Sequence, residues 1–193
     1  MNLKNKTILI TGGTGSFGNA FVNYSIKNNL FKKIIIFSRD EMKQWFMKSK
    51  YQKHLTKLRF FIGDVRDYRR LEKALIDVDM VIHAAATKIV STAEYDPFEC
   101  VKTNVVGAMN VIDACINRNI PRVLALSTDK ACNPINLYGS TKLASDKLFI
   151  ASNHYASKSS TKFSIMRYGN VISSRGSVIP FFLEMKNLNK SLP

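Results

Sequence analysis

Tyr138 and Lys142 stand four residues apart in a stretch that predicts the start of a long helix. A spacing of four places both side chains on one face of that helix. A neighbouring ammonium lowers the pKa of a tyrosine, so that its phenolate can accept a proton from a substrate hydroxyl. The same spacing also arises from ordinary helix packing beside a surface lysine, and the rest of the chain must decide between these two interpretations.

A second group of reactive side chains lies shortly before this pair. Thr128, Asp129 and Lys130 follow an apolar run that predicts a strand ending in Leu126 and Ser127. Open α/β sheets bind their ligands at the carboxyl ends of their strands, so a hydroxyl, an acid and a base at this position predict a catalytic group. The alternative is an ordinary polar loop that caps the strand.

The elements that would position these side chains alternate regularly. Short, nearly all-apolar runs predict strands that are covered by helices on both faces. Such an alternation predicts one α/β domain of the doubly wound type, with a parallel sheet. We expect it to span residues 1–177, and an apolar segment within residues 178–193 predicts the start of a further helix. The predicted strands are residues 7–11, 33–37, 59–62, 80–83, 122–126 and 163–167, and the predicted helices are 16–28, 40–50, 67–76, 97–118 and 136–157, with another from 178.

A glycine-rich segment joins the first strand to the first helix. Gly12 permits the tight turn, Gly15 lets the backbone approach a pyrophosphate, and Gly18 lets the helix pack closely on the sheet. The N–H groups at the start of the helix then hold the phosphates. This position in the chain predicts a dinucleotide site, and the Gly-x-x-Gly-x-x-Gly spacing resembles short-chain dehydrogenases of the extended class. The segment also contributes Thr14, Ser16 and Phe17.

The end of the second strand distinguishes between two nicotinamide cofactors. An arginine there accommodates the 2′-phosphate of NADP, whereas an acidic residue accepts from the ribose hydroxyl of NAD. Arg39 suits a phosphate, with Ser38 and Lys43 as further donors, so the sequence favours NADP. Asp40 keeps NAD possible, although it also suits the N-cap of the next helix.

The fourth strand ends in small side chains. Ala84, Ala85 and Ala86 leave room for the cofactor to lie across the strand ends. His83 precedes these alanines, and we interpret it as a packed strand histidine and not as a catalyst.

Composition narrows the choice of partners. The formal charge of +15 attracts polyanions, but the lysines are scattered and form no nucleic-acid motif, so we expect no nucleic-acid partner. Three widely spaced cysteines without a Cys/His cluster predict reduced thiols and no metal. Because the chain has no membrane-length apolar run and no export signal at its start, we expect a soluble, cytoplasmic protein.

Over essentially its whole length the chain resembles a known family. This family is the inverting UDP-N-acetylglucosamine 4,6-dehydratases of pseudaminic acid and capsule sugar pathways. The resemblance is carried by blocks that occur in the family's order: ITGGTGSFG, SRDE, FIGDVRD, HAAATK, AEYDPFECVKTN, ALSTDKACNPINLYGSTKLASDKL and RYGNVISSRGSVIPFF. The chain departs from the family at Ile89-Val90-Ser91, where His-Val-Pro is usual.

The resemblance implies roles for several residues. Asp129 would be the general acid and Lys130 the base at carbon 5; retaining dehydratases usually have an Asp-Glu pair there, so Lys130 implies inversion. Asp64 and Val65 would lie against the adenine, with Leu126 and Ser127 among the cofactor contacts. Residues expected near the cofactor or the sugar nucleotide are Lys88, Asn104, Thr128, Asn170, Val171, Arg175 and Ser177. The resemblance also implies a UDP-N-acetylhexosamine substrate, a homo-oligomer and the flagellin-glycosylation branch.

An acid and a base beside a hydride-transfer site suit elimination. Oxidation at sugar carbon 4 acidifies the proton on carbon 5, a base removes that proton, and an acid protonates the departing hydroxyl of carbon 6. Two alternatives remain open. A UDP-sugar 4-epimerase shares the glycine loop and the Tyr138/Lys142 pair, and a non-catalytic NADP-binding protein needs only the nucleotide site.

Overall fold

The computed structural model describes residues 2–156, 160–171 and 178–188 of the chain. Strands and helices alternate through most of this length. The strands are β1 Thr7–Thr11, β2 Lys33–Ser38, β3 Leu58–Ile62, β4 Met80–His83, β5 Arg122–Leu126 and β6 Lys162–Met166. The helices are α1 Ser16–Lys27, α2 Glu41–Lys50, α3 Tyr68–Ala74, α4 Val90–Tyr95, α5 Pro97–Val101, α6 Gly107–Asn117, α7 Leu137–Tyr155 and α8 Val178–Asn187.

The six strands form one parallel sheet in the order β3-β2-β1-β4-β5-β6. This is the strand order of the doubly wound dinucleotide-binding fold, whose topological switch point lies between the first and fourth strands. The prediction of a doubly wound α/β domain is therefore confirmed. The carboxyl ends of β1 and β4 meet at this switch point, where the chain reverses its direction across the sheet.

The sheet separates two apolar layers. One layer packs alternate strand residues, such as Leu9 and Val81, against the apolar faces of α3, α6 and α7, with Phe149 fully buried. The other layer packs Ile10 and Ile36 against α1 and α2. Burial on both faces explains why the strand sequences are nearly continuous in apolar residues.

The helix predicted for residues 97–118 is interrupted. A π-helical segment, Lys102–Val106, separates α5 from α6, and the unpredicted helix α4 precedes Pro97. A π turn closes its hydrogen bonds over one residue more than an α turn, and it occurs as a short segment inside α-helices. The sequence pattern of residues 97–118 did not indicate it. Ser91 lies inside α4, where the resembling family has proline. The interruption fixes the direction in which Asn104 points.

In the part of the chain that the structure describes, no helix is both long enough and apolar enough to span a bilayer.

Candidate functional site

The glycine loop and the end of β4 are joined at the switch point. Gly12 has a φ of +64°, and an added Cβ would lie 2.9 Å from the Ala84 carbonyl oxygen and from the Cα of Ala85. Only glycine adopts this conformation without strain and without that clash. The Thr11 hydroxyl oxygen accepts hydrogen bonds from the N–H groups of Ala84 and Ala85, at 3.1 and 3.2 Å. Sequence analysis did not identify Thr11, although it directly precedes the first glycine.

The N-terminus of α1 is arranged as an anion-binding turn. Gly15 is the N-cap, and no side chain caps the helix. The Asn19 side chain donates to the carbonyl oxygens of Thr14 and Gly15, both at 3.0 Å, and these bonds stabilise the glycine loop. Gly18 packs against the Gly13 backbone so closely that a Cβ would have to displace it. A helix start of this kind suits a pyrophosphate, because its first N–H groups point outward and the helix dipole favours negative charge.

The predicted phosphate-binding residues at the end of β2 differ in their positions. Arg39 is exposed, and its guanidinium lies 3.6 Å from an Asp64 carboxylate oxygen. Ser38 is buried, and its hydroxyl accepts from the Gln44 amide at 3.1 Å. Its role as a further donor to a phosphate stays a prediction. Asp40 is the N-cap of α2, accepting from the Lys43 N–H at 2.9 Å.

Lys43 also forms an ion pair with Asp40, with its Nζ 2.5 Å from the carboxylate. A hydrogen bond from this ammonium is the main cause that lowers the Asp40 pKa. The capping interpretation of Asp40 is therefore confirmed. Arg39 is the member of this group whose charge extends toward the end of β3.

Asp64 and Val65 follow β3 as expected, and the Asp64 carboxylate is held by arginines. Arg66 donates to Asp64 from its backbone N–H at 2.9 Å and from its guanidinium at 2.7 and 2.9 Å. Burial acts to raise the Asp64 pKa, but the hydrogen bonds and charge of Arg66, together with the charge of Arg39, lower it overall. Val65 is buried against Gly107, at the start of α6.

Thr128 joins the predicted catalytic residues. It is only 6% exposed, donates from its hydroxyl to the Asp129 carboxylate at 3.0 Å, and caps a short 3-10 turn that contains Lys130. The Tyr138 phenol lies near this hydroxyl, which acts to lower the Tyr138 pKa. The Lys130 ammonium lies 3.3 Å from the Asp129 carboxylate. The structure therefore brings the hydroxyl, the acid, the base and the phenol together at the end of β5.

The charges of the acid and base stabilise each other. The Thr128 hydrogen bond is the main cause that lowers the Asp129 pKa, and the Lys130 ammonium lowers it further. Asp129 is exposed and is therefore ionised near neutral pH.

Burial is the main influence on the Tyr138 pKa. Burial raises this pKa, the charge of Asp129 adds to that effect, and the Thr128 hydroxyl opposes it. Lys142 donates its ammonium proton to the Leu126 carbonyl at 2.7 Å, on the buried side of the helix. The lowering expected from the ammonium together with the cationic nicotinamide ring of a bound cofactor stays a prediction.

Lys142 is only 4% exposed, and burial lowers its pKa to about 8. The carbonyl of Leu126 serves as its hydrogen-bond acceptor. The neighbouring Ser127 is also buried, and its hydroxyl has no hydrogen-bond partner among the described residues. Lys142 is thus an internal cation at the base of the candidate site.

Asn104 joins the loop after β4 to α7. Its side-chain oxygen accepts from the Thr87 N–H at 2.9 Å, and its amide donates to the Thr87 carbonyl and the Thr141 hydroxyl at 3.0 and 3.1 Å. Asn104 is 1% exposed. Its place beside the cofactor or the sugar stays a prediction. Lys88, next to this loop, is exposed.

The segment after β6 closes one side of the site. Asn170 accepts from the Lys130 ammonium at 3.1 Å, and the Tyr168 carbonyl accepts from the Asp129 N–H at 3.0 Å. Val171 is exposed beside Asn170. The sequence did not single out Tyr168. The expectations for Arg175 and Ser177 lie outside the described residues.

His83 is packed in β4, as expected. It is 1% exposed, and its Nδ1 lies 2.8 Å from the Thr11 hydroxyl. Because that hydroxyl already accepts from two backbone N–H groups, its own proton points to Nδ1, and His83 is neutral. Burial lowers its pKa to about 3, and the Lys142 charge acts in the same direction.

Cys100 and Cys115 are buried and Cys132 is exposed, all as free thiols. Within the described ranges, no group of three or more histidine, cysteine or acidic side chains could hold a metal ion.

Comparison with known proteins shows which family the chain matches. A family model described as polysaccharide biosynthesis protein matches residues 8–193. The chain is 59% identical over 180 residues to the inverting UDP-N-acetylglucosamine 4,6-dehydratase of Campylobacter jejuni strain 81-176, covering 93% of this chain and 53% of that protein. It is 48% identical over 190 residues to the UDP-glucose 4-epimerase of Rickettsia akari, covering 97% and 55%.

Solved structures agree on the fold. Pen from Bacillus thuringiensis superimposes with a TM-score of 0.94 at 39% identity, over 98% of this chain and 60% of that one. The dTDP-glucose 4,6-dehydratase DesIV of Streptomyces venezuelae, solved with NAD, gives a TM-score of 0.79 at 21% identity, over 97% and 64%. The chain spans about half the length of the curated relatives it matches.

Proposed function

Because the chain belongs to the family of polysaccharide biosynthesis proteins, we propose that it forms the dinucleotide-binding and catalytic part of a UDP-N-acetylglucosamine 4,6-dehydratase. The observation that carries the proposal is the contact of Thr128 with both Asp129 and Tyr138, with Lys130 beside the carboxylate. We assign the dinucleotide site and these residues to 1–177, and the start of a substrate-binding region to 178–193.

The residues at the switch point fit a nicotinamide dinucleotide. The positive φ of Gly12, a start of α1 without a side-chain cap and the small side chains after β4 suit a pyrophosphate at the N-terminus of this helix. Bound there, the cofactor would accept hydride from sugar carbon 4 and return it at carbon 6. We propose NADP, since Arg39 has an exposed guanidinium at the end of β2 and Asp40 is used as a helix cap.

Titration of the chain with NADPH and with NADH, followed by cofactor fluorescence, tests this preference. We expect tighter binding of NADPH by at least about tenfold, and Arg39→Ala should remove most of that preference by deleting a phosphate contact. Arg122→Ala is the matched control, because Arg122 is an exposed arginine at the amino end of β5, the opposite edge of the sheet. Equal affinities in the wild-type chain would contradict the assignment of NADP.

The chain's own residues can supply the proton transfers of dehydration. Tyr138 would take the hydroxyl proton of carbon 4, while the Thr128 hydroxyl orients the phenol. The Lys130 ammonium lies 3.3 Å from the Asp129 carboxylate, so a proton can pass between the two groups. A sugar nucleotide that covers the pair would disfavour both charges, and this favours a protonated Asp129 and a neutral Lys130. In that state the lysine can remove the carbon 5 proton and the acid can protonate the leaving hydroxyl.

Product analysis in deuterated water tests the reaction. We expect incubation with UDP-N-acetylglucosamine and NADP to give a 4-keto-6-deoxy sugar that has lost water and carries solvent deuterium at carbon 5. Inversion at that carbon, read by NMR, would agree with a lysine base at position 130. Lys130→Ala should abolish deuterium incorporation, because it removes the proposed base. It should leave NADPH binding unchanged, because Lys130 lies in the turn after β5 and not in the glycine loop after β1.

A UDP-sugar 4-epimerase is the second candidate, favoured by the 48% identity to the Rickettsia akari protein. An epimerase product keeps all its oxygen atoms, so mass spectrometry separates the two reactions. A 4-epimer without loss of water would overturn the dehydratase proposal. Dinucleotide binding with no turnover of either kind would favour a non-catalytic nucleotide-binding protein.

We also propose a homo-oligomer. Large apolar side chains are exposed along α4, α5 and α6, with Tyr95 92%, Phe98 77% and Met109 45% exposed, which suits a helix-packed interface. Light scattering of the chain and of Phe98→Asp tests this, and a monomeric wild-type chain would contradict it. The sequence resemblance further supports a cytoplasmic enzyme of pseudaminic acid or surface polysaccharide synthesis, in the flagellin-glycosylation branch.

A further inference from the structure

Asp146 is a buried carboxylate that the chemistry above does not use. It is 3% exposed and lies four residues after Lys142 in α7. That spacing puts both side chains on the same face of the helix, one turn apart. A carboxylate that is removed from water needs a cationic partner to remain charged.

Arg167 supplies that partner from the residue directly after β6. Its Nε donates to the Asp146 carboxylate at 2.8 Å. The same guanidinium lies 3.2 Å from the Cys132 sulfur, which follows the turn that contains Asp129 and Lys130. Hydrogen bonding to Asp146 is the main cause that raises the Arg167 pKa. The ion pair therefore joins α7 to the end of β6. Through its contact with Cys132, the same arginine also reaches the residue that follows the catalytic turn.

Lys142 has few sources of compensation for its buried charge. Its ammonium donates to a neutral carbonyl, and the neighbouring His83 is itself neutral and buried. Burial is the main cause that lowers the Lys142 pKa, and the charge of Asp146 opposes it. The titratable groups on the elements packed around this lysine are Tyr138 and Asp146 on α7, His83 on β4, Arg167 after β6 and Cys100 on α5.

We propose that Asp146, anchored by Arg167, is a positioning residue that keeps the Lys142 ammonium charged beneath the candidate site. Its catalytic meaning rests on the proposed function, because a charged Lys142 is needed there beside the phenol and the cofactor. The charge relation itself is a property of this chain and does not depend on any substrate. Asp146 acts through Lys142 and has no contact of its own with the reacting atoms.

A pH titration by NMR of the chain labelled with ¹³C in its lysine side chains measures this relation directly. The Lys142 signal is assigned by its loss in Lys142→Arg. We expect the wild-type signal to titrate near pH 8 and Asp146→Asn to move that midpoint down by about one pH unit, as loss of an opposite charge at this range predicts. Asp146→Glu keeps the carboxylate and should restore a midpoint close to the wild-type value.

Asp113→Asn is the matched control, since it removes one carboxylate from the exposed face of α6 and should leave the Lys142 midpoint unchanged. An unchanged midpoint in a folded Asp146→Asn, or an equal shift in Asp113→Asn, would overturn the proposal. The wild-type chain provides a test even if the variant does not fold, because a Lys142 midpoint near the ordinary value of 10.5 would remove the need for a supporting carboxylate. No outcome depends on turnover, so the dehydratase proposal can fail while this one stands.

Discussion

Replacing Lys142 with methionine should change how the stability of the chain depends on pH. Methionine has a similar length and carries no charge, so the variant removes the buried ammonium and its bond to the Leu126 carbonyl. The lost hydrogen bond lowers stability by a roughly constant amount at all pH values. The pH-dependent part of the difference between the two proteins therefore reports the titration of Lys142.

The magnitude follows from the pKa of the folded state. Burial lowers the Lys142 pKa from 10.5 to about 8. Below pH 8 the lysine is protonated in both the folded and the unfolded chain. The full cost of burying the charge, about 3 kcal/mol, is therefore present there. Between pH 8 and 10.5 the folded chain releases the proton first, so the cost falls as the pH rises. Relative to Lys142→Met, the wild-type chain should gain about 2 kcal/mol in its free energy of unfolding between pH 7 and pH 9.5.

Urea denaturation of both proteins, followed by circular dichroism across this pH range, measures the difference. Other lysines and tyrosines also titrate, but they do so in both proteins and largely cancel. Lys147→Met is the matched control, because Lys147 is exposed on the same helix and its removal should leave the pH dependence unchanged. Parallel stability profiles for wild type and Lys142→Met would refute the reasoning, since they would mean that Lys142 is not desolvated.

Three further substitutions test other parts of the site. Gly12→Ala should cost at least about 1–3 kcal/mol in urea denaturation and greatly weaken NADPH binding, because its φ of +64° and the nearby Ala84 carbonyl exclude a side chain; an unchanged affinity would contradict the placement of the cofactor. Thr128→Val should raise the Tyr138 pKa further by removing the hydrogen bond that opposes burial, which ultraviolet difference titration against Tyr138→Phe can follow; a lowered pKa would disprove that contact. Asn104→Ala should lower the free energy of unfolding by about 1–3 kcal/mol, because it leaves the Thr87 backbone groups without these partners. A change within about ±0.5 kcal/mol, as is usual for surface substitutions, would indicate that Asn104 is not structural.

Much of the architecture could be predicted from local patterns. The six apolar runs became the six strands, because a strand covered on both faces needs apolar residues at every position. The turn at Gly12 and the helix cap at Asp40 could also be predicted, because each depends on the types of residues only a few positions apart. Tyr138 and Thr128 were brought together because both lie between the carboxyl end of β5 and the first turn of α7.

The partners of Ser38 and Asn104 could not be predicted from the sequence. The Ser38 hydroxyl accepts from Gln44, and the Asn104 side chain bonds to Thr87. Side-chain direction at a strand end, or within a π segment, depends on which partners the packed neighbours offer. The spacing of residues along the chain does not indicate such partners.

What the sequence by itself determined, then, was the order of elements, the glycine turn and the identity of the reactive side chains, because these follow from residue type and short-range spacing. Only the tertiary structure decided that Lys142 donates to the Leu126 carbonyl, that Asp146 pairs with Arg167, and that burial raises the Tyr138 pKa. Desolvation and long-range ion pairs are properties of the packed interior, and they exist only after α7 has been laid against β5 and β6.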